Sequence, residues 1–338
     1  MATIIEVARR AGVSAMTVSR VVNRSGYASA ATRAKVEEAI AELGYVPNAV
    51  ARQLRSKRSH TIALVVSDIT NPFFTTIARG VEDAAATRGY AVMFANTDES
   101  EVEEIEYIRM LAQRQIDGVL LVPAGNSAAP FRFLESQEIP VVVIDRRVVS
   151  RKVDEVRCDS EAGAYELVRH LIGLGHTRIA VITGRRNIST STDRVVGYER
   201  ALREAGLPVS PELEAYDSFS LEGGYRQVNQ ILANGLKPTA IFATNNFLAF
   251  GALRALREAG MRIPDDVSLV TFDDLPVEWH DDPFITVLAQ PAYELGRRAT
   301  ELLLARLDGG AATKRQVIVL PGELIVRRSS GPVPTDRV

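Results

Sequence analysis

The sequence predicts an all-α, three-helix helix-turn-helix head joined to an α/β body of two doubly wound parallel-sheet lobes. Three observations predict it. Residues 3–23, TIIEVARRAGVSAMTVSRVVN, read as a helix, a tight turn and a second helix. From His60 onward, short β-branched runs alternate with helical stretches, the pattern of parallel strands covered on both faces. At 338 residues the chain exceeds one small domain, and its 46% apolar content allows a large core.

Thr3 and Glu6 have the spacing of a capping box, so the first helix starts there. Gly12 supplies the backbone freedom for the turn, and Ser14 is a good N-cap for the second helix. There Val18, Val21 and Val22 share one face. Met16, Ser19, Arg20 and Asn23 point the other way, with Ala15 at the margin. An apolar seam backed by small, polar and basic residues suits a helix that lies in a DNA major groove. A surface helix pair without a ligand is the competing reading. Thr32 to Leu43 predicts a third helix, with Val36, Ala39, Ile40 and Leu43 as its stripe and Gly44 as its C-terminal cap. These helices make a minimal core over residues 1–46.

Pro47 breaks the chain, and residues 47–59 form a hinge or linker. Asn48 can cap the segment Ala49 to Arg55, which is too short for a stable helix alone in water. A leucine among arginines, Leu54, suggests a wedge for the minor groove, a plain linker being the alternative. Charge sharpens the division. Residues 1–58 hold ten Lys/Arg against four acidic residues, a surplus of six, whereas the whole chain carries −2. A basic head on an acidic body is the footprint of a module that meets a polyanion.

The body's strands are predicted at 61–67, 90–96, 118–123, 141–145, 155–157, 178–184, 214–218, 240–244 and 267–272. Helices between them include 75–88, 162–174, 194–205, 221–233 and 247–259. The lobes divide near Cys158–Ser160. One is expected to hold about 60–158 plus 290–316, the other about 159–289 plus 317–328. The tail, 329–338, has two prolines and is expected to be disordered.

Several chemistries lack their residues. No G-x-G-x-x-G follows the first strand, and no G-x-x-x-x-G-K-[ST], G-x-S-x-G or H-E-x-x-H occurs. The four histidines are scattered, so no metal site is expected. Cys158 is the sole cysteine, which excludes an internal disulfide and fits a reducing cytoplasm. No apolar run approaches the ~18 residues of a membrane span, and the N-terminus lacks a secretory pattern. No enzyme activity, no cofactor and no membrane partner are expected.

The polar residues at predicted strand ends are more informative. Asp145 ends VVVID, Asn245 ends AIFATN and Asp273 ends VSLVTFD. NPFF, Asn71 to Phe74, follows the first strand; Phe219 follows the strand at Glu214; Arg194 is expected to open the helix after the Gly184 loop. In open α/β sheets, ligands bind outside the carboxyl ends of strands. Two carboxylates, an amide and a guanidinium there offer donors and acceptors to a polyhydroxyl ligand. Phe73, Phe74, Phe219 and Trp279 can stack on its apolar faces. Helix capping is the alternative role for each polar residue taken singly. Arg185 and Arg186 leave a sugar acid open.

The sequence resembles the lactose-repressor/galactose-repressor (LacI/GalR) family of bacterial transcription regulators over residues 3 to about 328. VARRAGVSAMTVSRVVN with TRAKVEEAIAELGYVPNAVARQL carries the resemblance, and NPFF, VVVIDR, DRVVGYERAL, FATNN and SLVTFDD follow in order. It implies a body like that of periplasmic sugar-binding proteins and a cytoplasmic, DNA-associated repressor. It also implies a dimer on a near-palindromic operator, controlled by a small effector such as a sugar. Ala15, Met16 and Arg20 match base-reading positions; Ser14, Thr17, Ser19 and Asn23 match phosphate-contacting ones; Leu54 matches the leucine inserted at the operator's centre. Phe73, Asp145, Arg194, Phe219, Asn245 and Asp273 match effector-contacting positions. Ala15 and Met16 differ from the lactose repressor's tyrosine–glutamine pair, so its operator does not transfer. The tail lacks leucine heptads, so a helical-bundle tetramer is unsupported. The rival readings are a transport-type sugar-binding protein, which would lack the basic head, and a two-lobe enzyme, which would need a base and a cofactor site.

Overall fold

The computed structural model describes residues 2–22, 26–46, 58–148, 153–274, 283–309 and 314–333. The chain forms two units, Met1–Ser59 and His60–Val338. In the first, α1 (Ile4–Ala11), α2 (Ala15–Val22) and α3 (Ala30–Leu43) pack around Val7, Val18, Val21, Val36 and Ala39. The capping box forms: the Glu6 amide donates to Thr3 Oγ1 at 3.3 Å, and the Thr3 amide donates back to Glu6 Oε2 at 2.7 Å. Gly12 turns the chain at φ 67°, the left-handed conformation that glycine adopts without strain. The Thr17 amide then donates to Ser14 Oγ at 3.1 Å, capping α2. The third helix starts two residues before its expected position because Ser29 caps it, accepting from the Thr32 amide at 3.2 Å. Leu43, placed in the apolar stripe from spacing, is 37% exposed. It stands in the last turn of the helix.

The second unit contains two six-stranded sheets. The first lobe's strands are β1 (Thr61–Val66), β2 (Ala91–Asn96), β3 (Gly118–Leu121), β4 (Val141–Ile144), β5 (Asp154–Cys158) and β11 (Val317–Leu320), in the spatial order β11-β5-β4-β3-β1-β2. The second lobe's are β6 (Ile179–Thr183), β7 (Glu214–Tyr216), β8 (Ala240–Ala243), β9 (Ser268–Phe272), β10 (Thr286–Ala289) and β12 (Glu323–Ile325), in the order β12-β10-β9-β8-β6-β7. All pairs are parallel except β10–β12. The central strands are buried along nearly their whole length, as continuous runs such as VVVI and AIFA require. Each sheet has an apolar cluster on both faces.

Helices α4 (Pro72–Thr87), α5 (Glu101–Gln113), α6 (Ala129–Ser136) and α11 (Ala292–Leu307) serve the first lobe. The others, α7 (Ser160–Gly173), α8 (Ser189–Glu204), α9 (Leu221–Ala233) and α10 (Asn246–Glu258), serve the second. Strands β10 to β12 and helices α5, α6 and α11 were not among the elements named from the sequence. α11 brings the chain back to the first lobe because Gly80 and Gly296 let it lie against α4. A Cβ at Gly80 would fall 2.1 Å from the Tyr293 carbonyl oxygen, and one at Gly296 2.1 Å from that of Ile77.

Two boundaries are corrected. Residues 317–320, assigned above to the second lobe, pair with β5 in the first. Asp154 holds them: it takes a 2.7 Å bond from Arg306 Nε and a 2.8 Å bond from the Gln316 amide. The tail is ordered as far as Val333. Ser329 is fully buried, its Oγ accepts from the Thr286 amide at 2.8 Å, and its carbonyl accepts from the Leu269 amide at 2.8 Å. His176, likewise buried, bonds the Gly331 carbonyl at 3.0 Å. The two prolines spoke for disorder, but these backbone groups find partners in the second lobe. Residues 334–338 lie outside the described residues.

Candidate effector cleft

The two lobes share a topology, and this sets the site. β4 and β9 occupy the same place in their sheets, and each ends on an aspartate with φ 67°. Non-glycine residues rarely adopt this conformation, and it persists where surrounding structure enforces it. The Asp145 amide donates to the Val156 carbonyl on the next strand at 2.9 Å, and the Asp273 amide to that of Leu288 at 3.1 Å. Each carboxylate is thereby held at a strand end on one wall of an open cleft of about 170 Å³.

Phe73, Phe74, Asp145, Arg194, Phe219, Asn245 and Asp273, all expected from the sequence, line this cleft. Trp279, named with them, lies outside the described residues. Arg194 does not open its helix: α8 begins at Ser189, and Arg194 stands in its second turn. From there the guanidinium stacks on Phe272, 4.0 Å from the ring centroid, and donates through Nη1 to the Thr244 carbonyl. It is buried, and its charge is the strongest one favouring the ionised form of both aspartates. Asn245 keeps the capping role as well, since its Oδ1 accepts from the Leu248 amide at 2.9 Å. Among the described helices, none is capped by Asp145 or Asp273.

Sequence reasoning passed over Arg146, Glu99, Ser67, Thr190 and Gln290, which also line the cleft. Arg146 stands inside the VVVIDR motif, and its position after Asp145 was the available signal. Among the described residues, several side-chain atoms of these groups are buried without a hydrogen-bond partner: Asp145 Oδ1, Arg146 Nε, Arg194 Nε, Gln290 Oε1 and Ser67 Oγ. Buried polar atoms normally find partners, so a cluster of open ones beside a cleft points to a polar ligand. Arg185 and Arg186, considered above for a sugar acid, are not among the lining residues. Arg185 donates to the Glu99 carbonyl at 3.3 Å, and Arg186 stacks 3.5 Å over Tyr216.

Besides the Arg185–Glu99 bond, two ties cross the cleft. Asn71, on the first lobe, and Asn246, on the second, exchange a reciprocal pair of amide bonds, both 3.0 Å. Arg147 forms a two-pronged ion pair with Asp193, and its amide donates to Ser189 Oγ at 2.7 Å. Among the described residues no group of His, Cys, Asp or Glu could hold a metal ion.

Burial pushes the Asp273 carboxyl up to about 6, opposed by Arg194 and by the Gln290 amide that donates to it at 2.6 Å. Burial also raises Asp145. An acid with a raised folded-state pKa holds its proton more tightly when folded. Its contribution to stability therefore falls as pH rises from the ordinary 3.8 to about 6, and the penalty is complete above that. Asp273→Asn is expected to be more stable than wild type at pH 7.5, with the difference shrinking toward pH 4.5. Urea midpoints at both pH values measure it, and a difference independent of pH would refute the assignment.

The DNA-facing candidates lie in the other unit. On α2, Ser14, Ala15, Met16 and Arg20 are exposed, and Thr17 and Ser19 partly so, opposite the buried Val18 and Val21. Met16 is 66% exposed, and Arg20 Nη2 rests 3.7 Å from its sulfur. Asn23 and Leu54 lie outside the described residues.

A helix-turn-helix head and a two-lobed body with a polar cleft define a class: a DNA-binding regulator with a small-molecule sensing domain. Residues 3–48 match the family "Bacterial regulatory proteins, lacI family", and residues 59–323 match "Periplasmic binding proteins and sugar binding domain of LacI family". The chain belongs to the LacI family of bacterial transcriptional regulators, which are not enzymes. It is 37% identical to the HTH-type transcriptional regulator DegA of Bacillus subtilis, over 98% of this chain and 99% of that one. It is 34% identical to the HTH-type transcriptional repressor PurR of Photobacterium profundum, over 97% and 98%. Among solved structures it resembles a complex of the transcriptional regulator CelR with cellobiose, with TM-score 0.74 and 35% identity over 97% of this chain and 100% of that one. It also resembles the lac repressor dimer bound to operator and the anti-inducer ONPF, with TM-score 0.85 and 29% identity over 98% and 99%. No described helix is long and apolar enough to cross a membrane.

Proposed function

We propose that this regulator is a repressor that binds a near-palindromic operator as a homodimer, under the control of a sugar or sugar derivative held in the cleft. Ala15, Met16 and Arg20 read base edges in each half-site, with Arg20 the residue suited to a two-pronged bond to guanine. Ser14, Thr17, Ser19 and Asn23 bind phosphates and set register. Leu54 enters the minor groove, in a segment that folds on the duplex. Phe73, Phe74, Asp145, Arg194, Phe219, Asn245, Asp273 and Trp279 contact the effector. The observation that carries the reading is the cluster of unpartnered donors and acceptors beside three phenylalanines in the cleft. Such a wall suits a molecule with hydroxyl edges and apolar faces. The dimer on operator and the cellobiose complex among the similar structures support the same view.

In this mechanism the effector shifts an equilibrium between lobe arrangements, and segment 47–59 transmits it to the two heads. The effector acts only through its differential affinity for the two states, typically about 1–3 kcal/mol. The test is selection of bound sites from fragmented genomic DNA, then a mobility shift at fixed salt with and without a panel of sugars and purines. A palindromic consensus whose affinity a sugar alters is the expected result. No preference over random duplex defeats the regulator reading, and a response to purines alone defeats the sugar reading.

A further inference from the structure

The wall of the first lobe carries an ion pair held by unusual backbone. Asp98, Glu99 and Asp145 all have positive φ, at 46°, 57° and 67°. The Arg146 amide donates to the Ile144 carbonyl at 2.7 Å, closing a tight turn around Asp145. These conformations are costly for side-chain-bearing residues, and two of the three, Glu99 and Asp145, meet one guanidinium. Arg146 is only 4% exposed. Its Nη2 donates to Glu99 Oε1 at 2.7 Å and its Nη1 to the Pro123 carbonyl at 2.6 Å. Among the described residues its Nε has no hydrogen-bond partner and lies 3.9 Å from Asp145 Oδ2, and Asp145 Oδ1 is unpartnered as well.

From this geometry we infer that Arg146, neutralised by Glu99, is a specificity-determining residue: with Asp145 it takes adjacent hydroxyls of an uncharged sugar and turns away sugar acids. The inference rests on the sugar reading of the cleft. Arg146 offers a directed N–H and Asp145 an acceptor beside it, the arrangement that a pair of neighbouring ring hydroxyls satisfies. Glu99 spends the charge of Arg146 within the wall, so an anionic ligand gains little from it. Among the described lining residues, five carboxylates face two guanidinia, and the second, Arg194, serves Asp145 and Asp273. A carboxylate on the ligand therefore meets a wall of its own sign.

The test is calorimetric titration of the full-length protein with matched pairs: D-glucose and D-glucuronate, D-ribose and D-ribonate, cellobiose and cellobionate. Wild type is expected to bind at least one neutral sugar at least tenfold more tightly than its acid partner. Glu99→Gln restores the unspent charge of Arg146 and is expected to narrow that preference at least tenfold. Arg146→Gln is expected to weaken the neutral sugar at least tenfold with no gain for the acid, and the double variant to lose the gain seen in Glu99→Gln. Circular dichroism confirms that each variant is folded; should Glu99→Gln not fold, Arg146→Gln alone decides. A neutral-to-acid ratio unmoved by Glu99→Gln, a wild type that prefers the acid, or unchanged sugar affinity in Arg146→Gln overturns this inference and leaves the sugar reading standing. Failure of every neutral sugar and acid to bind wild type overturns the sugar reading itself, and this inference with it.

Discussion

Arg194→Ala is expected to weaken binding of the effector by about a hundredfold or more and to destabilise the body by about 3–5 kcal/mol. Arg194 is 3% exposed, and it is the strongest charge favouring the ionised forms of Asp145 and Asp273. Without it, Asp273 has no guanidinium acting on it and Asp145 is left with Arg146 alone, itself tied to Glu99. Each then protonates more readily, so the variant should recover part of its stability as pH falls toward 5. Arg194→Lys should rescue little. Lysine is a point charge without the planar face that stacks on Phe272, and it cannot fan donors toward several acceptors. Chemical denaturation at two pH values, with titration of the sugar that wild type binds, gives both quantities. Near-wild-type stability at pH 7.5 would show that Arg194 does not hold the pair.

Arg20→Ala is expected to erase the preference for operator over random duplex while retaining most non-specific affinity. A two-pronged contact to guanine is worth about 1–3 kcal/mol of discrimination, and a dimer loses it in both half-sites. The combined loss corresponds to roughly thirtyfold or more in specificity. Helix α2 should tolerate the change. Arg20 is exposed, and the helix is held from the other side by Val18 and Val21. Mobility shifts at fixed salt with operator and scrambled duplex separate the two effects. Parallel weakening on both duplexes would reassign Arg20 to phosphate contact, and an unchanged ratio would remove it from base reading.

The parts legible in the sequence were those governed by local rules. The capping pair Thr3–Glu6, the turn at Gly12 and the valine seam on α2 are written in spacings of three and four residues. The buried strands are continuous β-branched runs, and six of the cleft's side chains stood visibly at strand ends or at helix starts, Arg194 being the exception. The parts missed depend on neighbours far away in the chain. Residues 317–320 look like any short strand, and only their pairing with β5 places them in the first lobe. Ser329 reads as tail, but its hydrogen bonds go to residues 43 and 60 positions away. Glu99 and Arg146 are 47 residues apart and meet only because β2 and β4 lie in one sheet.

The sequence by itself determined a cationic helical reader followed by alternating strands and helices whose ends carry polar groups. Side-chain periodicity and capping act within a few residues, so a linear chain displays them in full. The tertiary structure alone decided which strand joins which sheet, that Asp145 and Asp273 occupy matching places in the two lobes, and that Arg146 is tied to Glu99. Strand pairing and ion pairing are long-range. Their free energy depends on which groups the folded backbone brings together, and no spacing along the chain encodes that distance.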